Sequence, residues 1–305
     1  PDAQSQHDLC DLTFSSFSPP HPSYPREYNH ERASRIGTLC FPDDRFFTSP
    51  IRHNGVLIAT NPSPSLAFSS LEVSNVWFQI ATDGLTLHVT NDIRVHHGGR
   101  FEVTNAVVAC GGLTVTNFGV VDFHAGATSS PALFTPGDLS LADDSYLGLY
   151  SGPTATSAVH GARLSIGGAI DLSDNAWIYP VSHPTNGGSA KIACANVRIS
   201  ETSGINANAA GFRNVAGKPY GPGKASGDWG GGGYGGKGNG LHHGGPAYGV
   251  SNAVPLECGS AGGGNATYGS GHGGGLIWIE AADRVVVDGT LTACGNNGGQ
   301  YGSGG

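Results

Sequence analysis

Three acidic side chains and one histidine have the residue types that hydrolysis of a glycosidic bond requires. Asp83 precedes a glycine, Asp143 and Asp144 are adjacent, and His272 stands between two glycines. Two carboxylates and a histidine on one face could supply a general acid, a base and a nucleophile. The motifs are, however, about 60 and about 128 residues apart, and each stacked strand adds about 4.8 Å between them. The spacing predicts that none of these side chains is catalytic and that the protein is not an enzyme.

The histidine and glycine motifs of the sequence lack residues that metal and phosphate sites require. Neighbouring residues of a strand point to opposite faces, so the doublets His96-His97 and His242-His243 do not each present two ligands to one ion. The glycine-rich run around Lys237 has no Ser or Thr after its lysine, which a phosphate-binding loop requires. The glycine-rich turn before Asn265 has asparagine where calcium-binding repeats use aspartate. We therefore expect no metal and no cofactor.

Charge and hydropathy argue against two further classes of function. The chain has 305 residues with 15 Lys and Arg against 23 Asp and Glu, a formal net charge of −8. A nucleic-acid binder needs a basic stripe to meet phosphates. No apolar run approaches the roughly 18 residues of a membrane helix. We expect neither nucleic-acid binding nor a membrane span.

Six cysteines indicate disulfides and an oxidising compartment. None belongs to a Cys-Xaa-Xaa-Cys pair, and they stand at positions 10, 40, 110, 194, 258 and 294. Cys10 and Cys40 bracket the proline-rich start of the chain and are predicted to pair. Cys258 and Cys294 occupy matching places in two repeats, so we predict a second bond between them. By elimination, the third bond would join Cys110 to Cys194.

The chain divides into three regions by composition. Residues 1–50 are too rich in proline for helices or paired strands and are predicted to form an irregular, disulfide-stapled N-terminal cap. Residues 51–210 alternate apolar and polar side chains, and the tripeptide Val-Thr-Asn returns at positions 89, 103 and 115. A repeat of 12 to 14 residues is one strand with its turn, or two short strands with a corner. Because no helices separate the strands and the motifs repeat, the pattern favours a solenoid over an antiparallel sandwich.

Residues 211–305 form a glycine-rich region with longer repeats. This region holds 32 of the 50 glycines, and similar segments begin at Cys258 and Cys294, 36 residues apart. A weaker copy lies about 86 residues earlier, at residues 187–208, with its register shifted by a residue or two. Glycines at positions 227, 230, 233 and 236 have a period of three, which suits an extended three-fold helix packed against its neighbours. We expect these repeats to continue beyond residue 305.

The C-terminal repeat resembles a known pattern. The segment Gly-His-Gly-Gly-Gly-Leu-Ile-Trp-Ile-Glu from position 271, followed by Val-Val-Val-Asp-Gly-Thr-Leu-Thr-Ala-Cys-Gly from position 285, resembles the glycine-rich parallel β-helix repeat of large secreted proteins of algae and other protists. The resemblance covers roughly residues 185–305, and the pattern is similar to pectin-lyase-like solenoids. It implies a cell-surface or filament protein, such as a component of flagellar hairs. Polysaccharide hydrolases also use β-helices, and the motifs at Asp83, Asp143 and His272 resemble theirs in order.

Together these features predict a fold and a function. The predicted fold is all-β, a right-handed parallel β-helix with glycine-rich loop insertions and the stapled cap. The predicted function is that of a secreted, non-catalytic subunit of a filament or cell-surface coat, which assembles with itself or with other structural subunits. The alternative is a carbohydrate-active β-helix that cleaves or binds a glycan. Asn265 begins the Asn-Ala-Thr sequon and is predicted to carry a glycan. Five aromatic residues are predicted to anchor assembly contacts: Trp229, Tyr234, Tyr248, Tyr268 and Tyr301.

Overall fold

A computed structural model describes most of the chain after residue 54. It covers residues 55–57, 65–126, 132–135, 137–155, 160–227, 229–240, 243–249, 254–265, 269–298 and 302–305. All regular elements of these residues are strands, and no helix occurs among them. The predicted cap, its Cys10–Cys40 bond, Tyr268 and Tyr301 lie outside the described residues. The all-β prediction is confirmed for the part that is described.

Two parallel sheets, together called the sheet stack, contain most of the strands. Sheet I has the order β1 (Gly55–Leu57), β4 (Trp77–Ala81), β6 (Arg100–Thr104), β8 (Val120–His124), β11 (Tyr146–Tyr150), β14 (Trp177–Val181), β16 (Gly204–Asn206) and β22 (Thr290–Thr292). Sheet II contains β2 (Ser65–Phe68), β3 (Leu71–Ser74), β5 (Thr86–His96), β7 (Val107–Val115), β9 (Leu133–Thr135), β10 (Leu139–Leu141), β12 (His160–Ile166), β13 (Ala169–Leu172), β15 (Ser189–Ile199) and β21 (Ile279–Val287). From β4 to β16 the chain alternates between the sheets, and one passage through both is a rung.

The core lies between the two sheets and is built from ladders of apolar side chains. Because successive side chains of a strand point to opposite faces, every second residue enters this core. In sheet I, Phe78 pairs with Phe101, which pairs with Val121, and all three are fully buried. The two phenyl rings stack 6.0 Å apart. The period-two pattern of the sequence therefore predicts correctly which residues are buried.

Rungs differ in length, although the strands of sheet I pair without register shifts. In sheet I, Arg100 pairs with Val120, which is 20 residues further along the chain. Tyr146 pairs with Trp177, which is 31 residues further along, so the rung between them is longer. The three Val-Thr-Asn tripeptides do not stack on one another. The second lies on β6 in sheet I, and although β5 and β7 pair in sheet II, Val89 is opposite Cys110 and Val115 is opposite Val95.

Corners between the sheets use residues that tolerate the left-handed backbone region. Asp143 and Asp144 have φ values of 55° and 59°, and Asp174 and Asn175 have 51° and 63°. Short polar side chains enter this region at lower cost than bulky ones because they hydrogen-bond locally. The Asn175 amide Nδ2 donates to Asp144 Oδ1 of the preceding corner. The acidic pair at 143–144 therefore occupies a turn position.

The predicted relationship between residues 187–208 and the last repeat is confirmed in the stacking of strands. β15 pairs with β21 with Ile192 opposite Ile279, and β16 pairs with β22 with Ile205 opposite Leu291. The partners in β15 and β21 are one or two positions further apart along the chain than those in β16 and β22, which is the register shift that the sequence shows. Residues 207–278 thus leave the stack, and the chain then returns to form the next rung.

The glycine-rich region forms what we call the glycine bundle. Its extended segments are residues 207–213, 220–226, 229–233, 236–240, 243–248, 258–263, 271–275, 293–296 and 302–305. Their hydrogen bonds have a period of three. Gly259 and Gly262 donate to the carbonyls of Gly274 and Gly271, and these two donate in turn to Gly305 and Gly302. Two short antiparallel pairs lie beside the segments: β17 (Asn214–Val215) with β18 (Lys218–Pro219), and β19 (Gly264–Asn265) with β20 (Gly269–Ser270).

Successive amides of one bundle segment reach different neighbours. Gly231 donates to the carbonyl of Asn239, Gly232 to that of Ser303, and Gly233 to that of Gly223. A three-fold extended helix presents its amides in three directions, and glycine alone permits backbones to approach so closely. The predicted three-fold run at Gly227, Gly230, Gly233 and Gly236 agrees with this pattern at Gly230 and Gly233, where an added Cβ would lie 1.9 Å and 2.3 Å from neighbouring carbonyl oxygens.

Two of the predicted disulfides are wrong, because the four described cysteines are free thiols. Cys110 and Cys194 face the same side of sheet II, but Thr135 and Ile166 of two intervening rungs separate them. Three steps of about 4.8 Å exceed the Cα separation that a disulfide spans.

The Cys258–Cys294 bond fails for a different reason. Cys258 is buried with Phe212 and Leu276, and its Sγ faces the Gly187 carbonyl at 3.9 Å. Cys294 is exposed, and its amide donates to Asn208 Oδ1 at 2.7 Å. The two cysteines therefore contact different parts of the fold, although their segments are similar in sequence.

Candidate functional site

The four residues of the hydrolase-like motifs, which are predicted not to be catalytic, lie apart from one another in the described structure. Asp83 lies in the corner before β5 and accepts a hydrogen bond of 2.7 Å from Asn105. Asp143 and Asp144 lie in the corner between β10 and β11. His272 belongs to the glycine bundle, where its amide donates to Asn296. These residues lie in two different corners of the sheet stack and in the glycine bundle, and no common face joins them.

A different set of charged residues meets on the outer face of sheet I. Arg100 and Glu102 lie on β6, and Asp122 and His124 lie on the neighbouring strand β8. The parallel register places Glu102 directly opposite Asp122. These side chains alternate with the buried Phe101, Val103, Val121 and Phe123, so they project from the opposite face of the sheet. We call these four charged or titratable residues the acid cluster.

One guanidinium serves both carboxylates of the acid cluster. Arg100 Nη2 lies 2.8 Å from Asp122 Oδ2 and 3.4 Å from Glu102 Oε2. His124 Nε2 lies 3.7 Å from Glu102 Oε1, which also accepts a hydrogen bond of 3.1 Å from Gln79. Arg100 further lies over the Trp77 ring, 4.8 Å from its centroid. The cluster thus links three consecutive strands of sheet I.

Aromatic side chains flank the acid cluster. The His124 ring stacks on Tyr150 with centroids 4.3 Å apart and planes within 5°. Tyr146 and Tyr179 meet edge to face at 5.8 Å. Between Tyr146 and Tyr150, Gly148 lies against the Asp122 carboxylate, and a Cβ at this position would be 2.3 Å from Oδ1. Glycine is therefore required here because any side chain would displace the carboxylate.

Burial controls the protonation of this site. It raises the pKa of Asp122 from 3.8 to about 6, and the positive charges of Arg100 and His124 oppose that rise. Burial also raises the pKa of Tyr150 to about 12, and the negative charge of Asp122 adds to it. A carboxyl group that holds its proton near pH 6 can donate a hydrogen bond or release a proton within the neutral range. Asp122 itself has no exposed surface.

Sequence reasoning missed the acid cluster. The available signal was charged residues at alternate positions in Arg100-Phe-Glu and Asp122-Phe-His, which fit two outward-facing strand surfaces. The signal identifies the outer face, but only the pairing of β6 with β8 makes Glu102 and Asp122 neighbours. Within the described residues, no group of three His, Cys, Asp or Glu side chains is arranged to hold a metal ion.

The predicted assembly aromatics have mixed environments. The Tyr248 hydroxyl donates to the Cys258 carbonyl, and the Tyr234 ring meets Tyr248 edge to face at 5.1 Å. These two residues therefore cover part of the glycine bundle. Trp229 has a largely exposed side chain. Asn265 lies in β19 opposite Gly269, so the sequon begins in a short antiparallel pair.

The last rung exposes side chains whose counterparts on the rung before it are buried. Val285 and Leu291 are 57% and 46% exposed. Their partners on the preceding rung, Val197 and Ile205, are buried. β22 stands at the end of sheet I, and β21 pairs with β15 on one side. Among the described residues, this end of the core has no cover.

Comparison with known proteins returned nothing similar. No family model, no curated protein and no solved structure matches this chain. Among the described residues, none forms a helix with the length and apolar character needed to cross a membrane.

Proposed function

We propose that this protein is a secreted, non-catalytic structural subunit of an extracellular filament or cell-surface coat. In this proposal the sheet stack is a right-handed parallel β-helix of the glycine-rich repeat type, and its end joins to further rungs or to another subunit. The single observation that carries the proposal is the apolar last rung, with Val285 and Leu291 exposed. The resemblance of the C-terminal repeat to secreted filament proteins supports the same function.

The energetics of the last rung favour a partner. Burying one large aliphatic side chain contributes about 1.5 to 3 kcal/mol. Val285, Val287 and Leu291 are exposed, and each lies opposite a buried residue of the preceding rung. β21 and β22 are edge strands that can pair with another strand. A parallel rung added at this end would continue both sheets and all of the apolar ladders. A solenoid buries its core only against neighbouring rungs, so such an end favours stacking.

The glycine bundle also suits a static structure. Its segments are joined by backbone hydrogen bonds in several directions, and close contacts at glycine leave little room for movement. In this proposal, Trp229 adds a lateral contact, Tyr268 and Tyr301 remain predicted anchors, and Asn265 carries a glycan. The environments of Tyr234 and Tyr248 favour an internal structural role for those two residues.

The proposal can be tested by imaging and by light scattering. The wild-type protein should form elongated particles in electron micrographs and oligomers in size-exclusion chromatography with multi-angle light scattering. Val285→Asp should abolish these assemblies, because it places a charge on the stacking surface. Val254→Asp is the matched control, since Val254 is an exposed valine outside the last rung, and it should assemble normally. A wild-type protein that stays a dispersed monomer would contradict the proposal.

The carbohydrate-active alternative has one observation in its favour. Glu102 and Asp122 are carboxylates on adjacent strands that contact the same guanidinium, and glycosidases use paired carboxylates. The absence of exposed surface on Asp122 argues against substrate access. Incubation with a panel of neutral and acidic polysaccharides tests this alternative. Depolymerisation that is lost in Glu102→Gln but kept in Asp144→Asn would establish it.

A further inference from the structure

One carboxylate of the sheet stack lacks the hydrogen bonds that its burial requires. Asp122 has no exposed surface, and neither of its oxygens accepts a hydrogen bond from a described residue. Arg100 Nη2 lies 2.8 Å from Oδ2 and forms an ion pair with it, and this one guanidinium is shared with Glu102. Buried carboxylates are normally satisfied by hydrogen-bond donors, so the unsatisfied oxygens of Asp122 call for a further partner.

The surroundings of Asp122 favour a very small partner. Oδ1 lies against Gly148, where even an added Cβ would come within 2.3 Å. Tyr146 and Tyr150 stand on both sides of this glycine on β11, and the His124 ring lies flat on Tyr150. A sugar or a peptide needs exposed surface to bind, and Asp122 offers none. A proton is the ligand that fits.

The charges around Asp122 are unbalanced without that proton. β6 contributes one cation, Arg100, and a second carboxylate, Glu102, which contacts the same Arg100 nitrogen. On β8, His124 lies 3.7 Å from Glu102. On β11, the titratable groups are the phenols of Tyr146 and Tyr150, whose pKa values burial raises further above neutrality. Whenever His124 is neutral, one guanidinium faces two carboxylates in a region of low dielectric constant, where an unbalanced charge is costly.

We propose that Asp122 is a proton-binding site that locks β6, β8 and β11 together in mildly acidic surroundings. With the proton bound, Glu102 pairs with Arg100 while Asp122 is neutral and can donate through its own hydroxyl. When the proton leaves, a second negative charge is buried beside Glu102 and the outer face of sheet I loosens. This lock lies within one chain, so it is independent of the assembly proposed above.

The direction of the pH effect follows from linkage. Because the native chain holds the Asp122 proton to about pH 6, whereas an unfolded chain releases it near pH 4, protonation favours the native state. The stabilisation is fully present below the unfolded pKa and is lost as pH rises through the native one. Most acidic residues have the opposite effect, so the contribution has to be isolated with a variant.

Urea unfolding between pH 4 and pH 7 isolates the contribution of the Asp122 proton to the stability of the native chain. Asp122→Asn is neutral at every pH and mimics the protonated form. Relative to this variant, the unfolding equilibrium constant of the wild-type chain should rise roughly fifty-fold from pH 4 to pH 7. Asp171→Asn is the matched control because Asp171 is an exposed carboxylate on sheet II, 3.8 Å from Arg198, and it should keep the wild-type profile. Parallel pH profiles for wild type and Asp122→Asn would overturn the proposal.

A direct titration keeps the proposal testable if Asp122→Asn fails to fold. In the wild-type chain with ¹³C-labelled aspartate, one carboxyl resonance should titrate near pH 6. In Glu102→Gln its midpoint should move to lower pH, because the negative charge of Glu102 raises the pKa of Asp122. The proposal is wrong if no aspartate titrates above pH 5, or if Glu102→Gln leaves the midpoint unchanged.

Discussion

The sheet stack and the glycine bundle reach dense packing by opposite means. In the sheet stack, side chains fill the interior, as where Phe78 and Phe101 stack 6.0 Å apart. In the glycine bundle, backbone touches backbone, and a methyl group added to Gly273 would lie 1.9 Å from the Gly259 carbonyl oxygen. The comparison shows that one chain can be tightly packed with and without apolar side chains. It also implies opposite tolerance to mutation, since the stack needs large residues and the bundle needs none.

The largest expected effect is the difference in alkylation rate between buried and exposed thiols. It tests whether the sheet stack and the glycine bundle both exclude solvent. Burial raises the pKa of the Cys110 thiol in the sheet stack to about 12 and raises that of Cys258 in the glycine bundle. Only the thiolate reacts with alkylating agents. At pH 8 the native Cys110 should therefore react at least about a thousandfold more slowly than an ordinary thiol.

Iodoacetamide labelling followed by peptide mapping measures this effect. Exposed Cys294 is the internal control and should be labelled in the native chain, while Cys110 and Cys258 should be labelled only after unfolding. Rapid labelling of Cys258 but not of Cys110 in the native chain would show that the glycine bundle is open to solvent. It would contradict the claim that both regions are densely packed. Recovery of Cys258 linked to Cys294 would contradict the free thiols directly.

Removing a core ring tests the dependence of the sheet stack on side chains. Phe101→Ala deletes a fully buried phenyl group that stacks on Phe78. It should lower the free energy of unfolding by about 3 to 5 kcal/mol, since it loses apolar burial and leaves a cavity. Chemical denaturation measures the loss. Phe118→Ala, at an exposed corner position, is the control, and an equal loss there would argue against a side-chain-filled core.

Adding a methyl group tests the dependence of the glycine bundle on bare backbone. Gly233→Ala places a Cβ 2.3 Å from the Pro246 carbonyl oxygen and should destabilise the chain by about 1 to 3 kcal/mol through overpacking. Gly236→Ala, further along the same run, meets nothing nearer than 4.0 Å and should be close to neutral. Hydrogen exchange at Gly223 and Gly233 provides a local measurement. Equal effects of the two substitutions would show that close approach does not explain the glycines.

The smallest effect is expected at the corners of the sheet stack. Asp174 has a φ of 51°, a region that β-branched residues enter only with strain. Asp174→Val should therefore cost about 1 kcal/mol, whereas Asp174→Gly should be nearly neutral. Thermal unfolding of the two variants compares them. If valine is tolerated as well as glycine, corner conformation does not limit the stability of the stack.

Several features of the fold could be predicted from the sequence because they depend on local periodicity. Alternation of apolar residues identified the strands and their buried faces, as at Phe101 and Val103. The similarity of residues 187–208 to the last repeat identified two rungs that do stack. The three-residue period of the glycines indicated extended segments packed closely together. Each of these patterns follows from the geometry of a single extended chain and needs no knowledge of distant contacts.

Which residues become neighbours across rungs depends on long-range packing. Rungs vary in length, so sequence separation does not fix register, and the strands settle where their apolar side chains stack. That packing puts Glu102 beside Asp122 under one guanidinium, and it puts two rungs between Cys110 and Cys194. Local periodicity alone specifies that the chain forms strands and glycine-rich extended segments. The acid cluster, the free thiols and the exposed last rung depend on long-range packing, which no local pattern encodes.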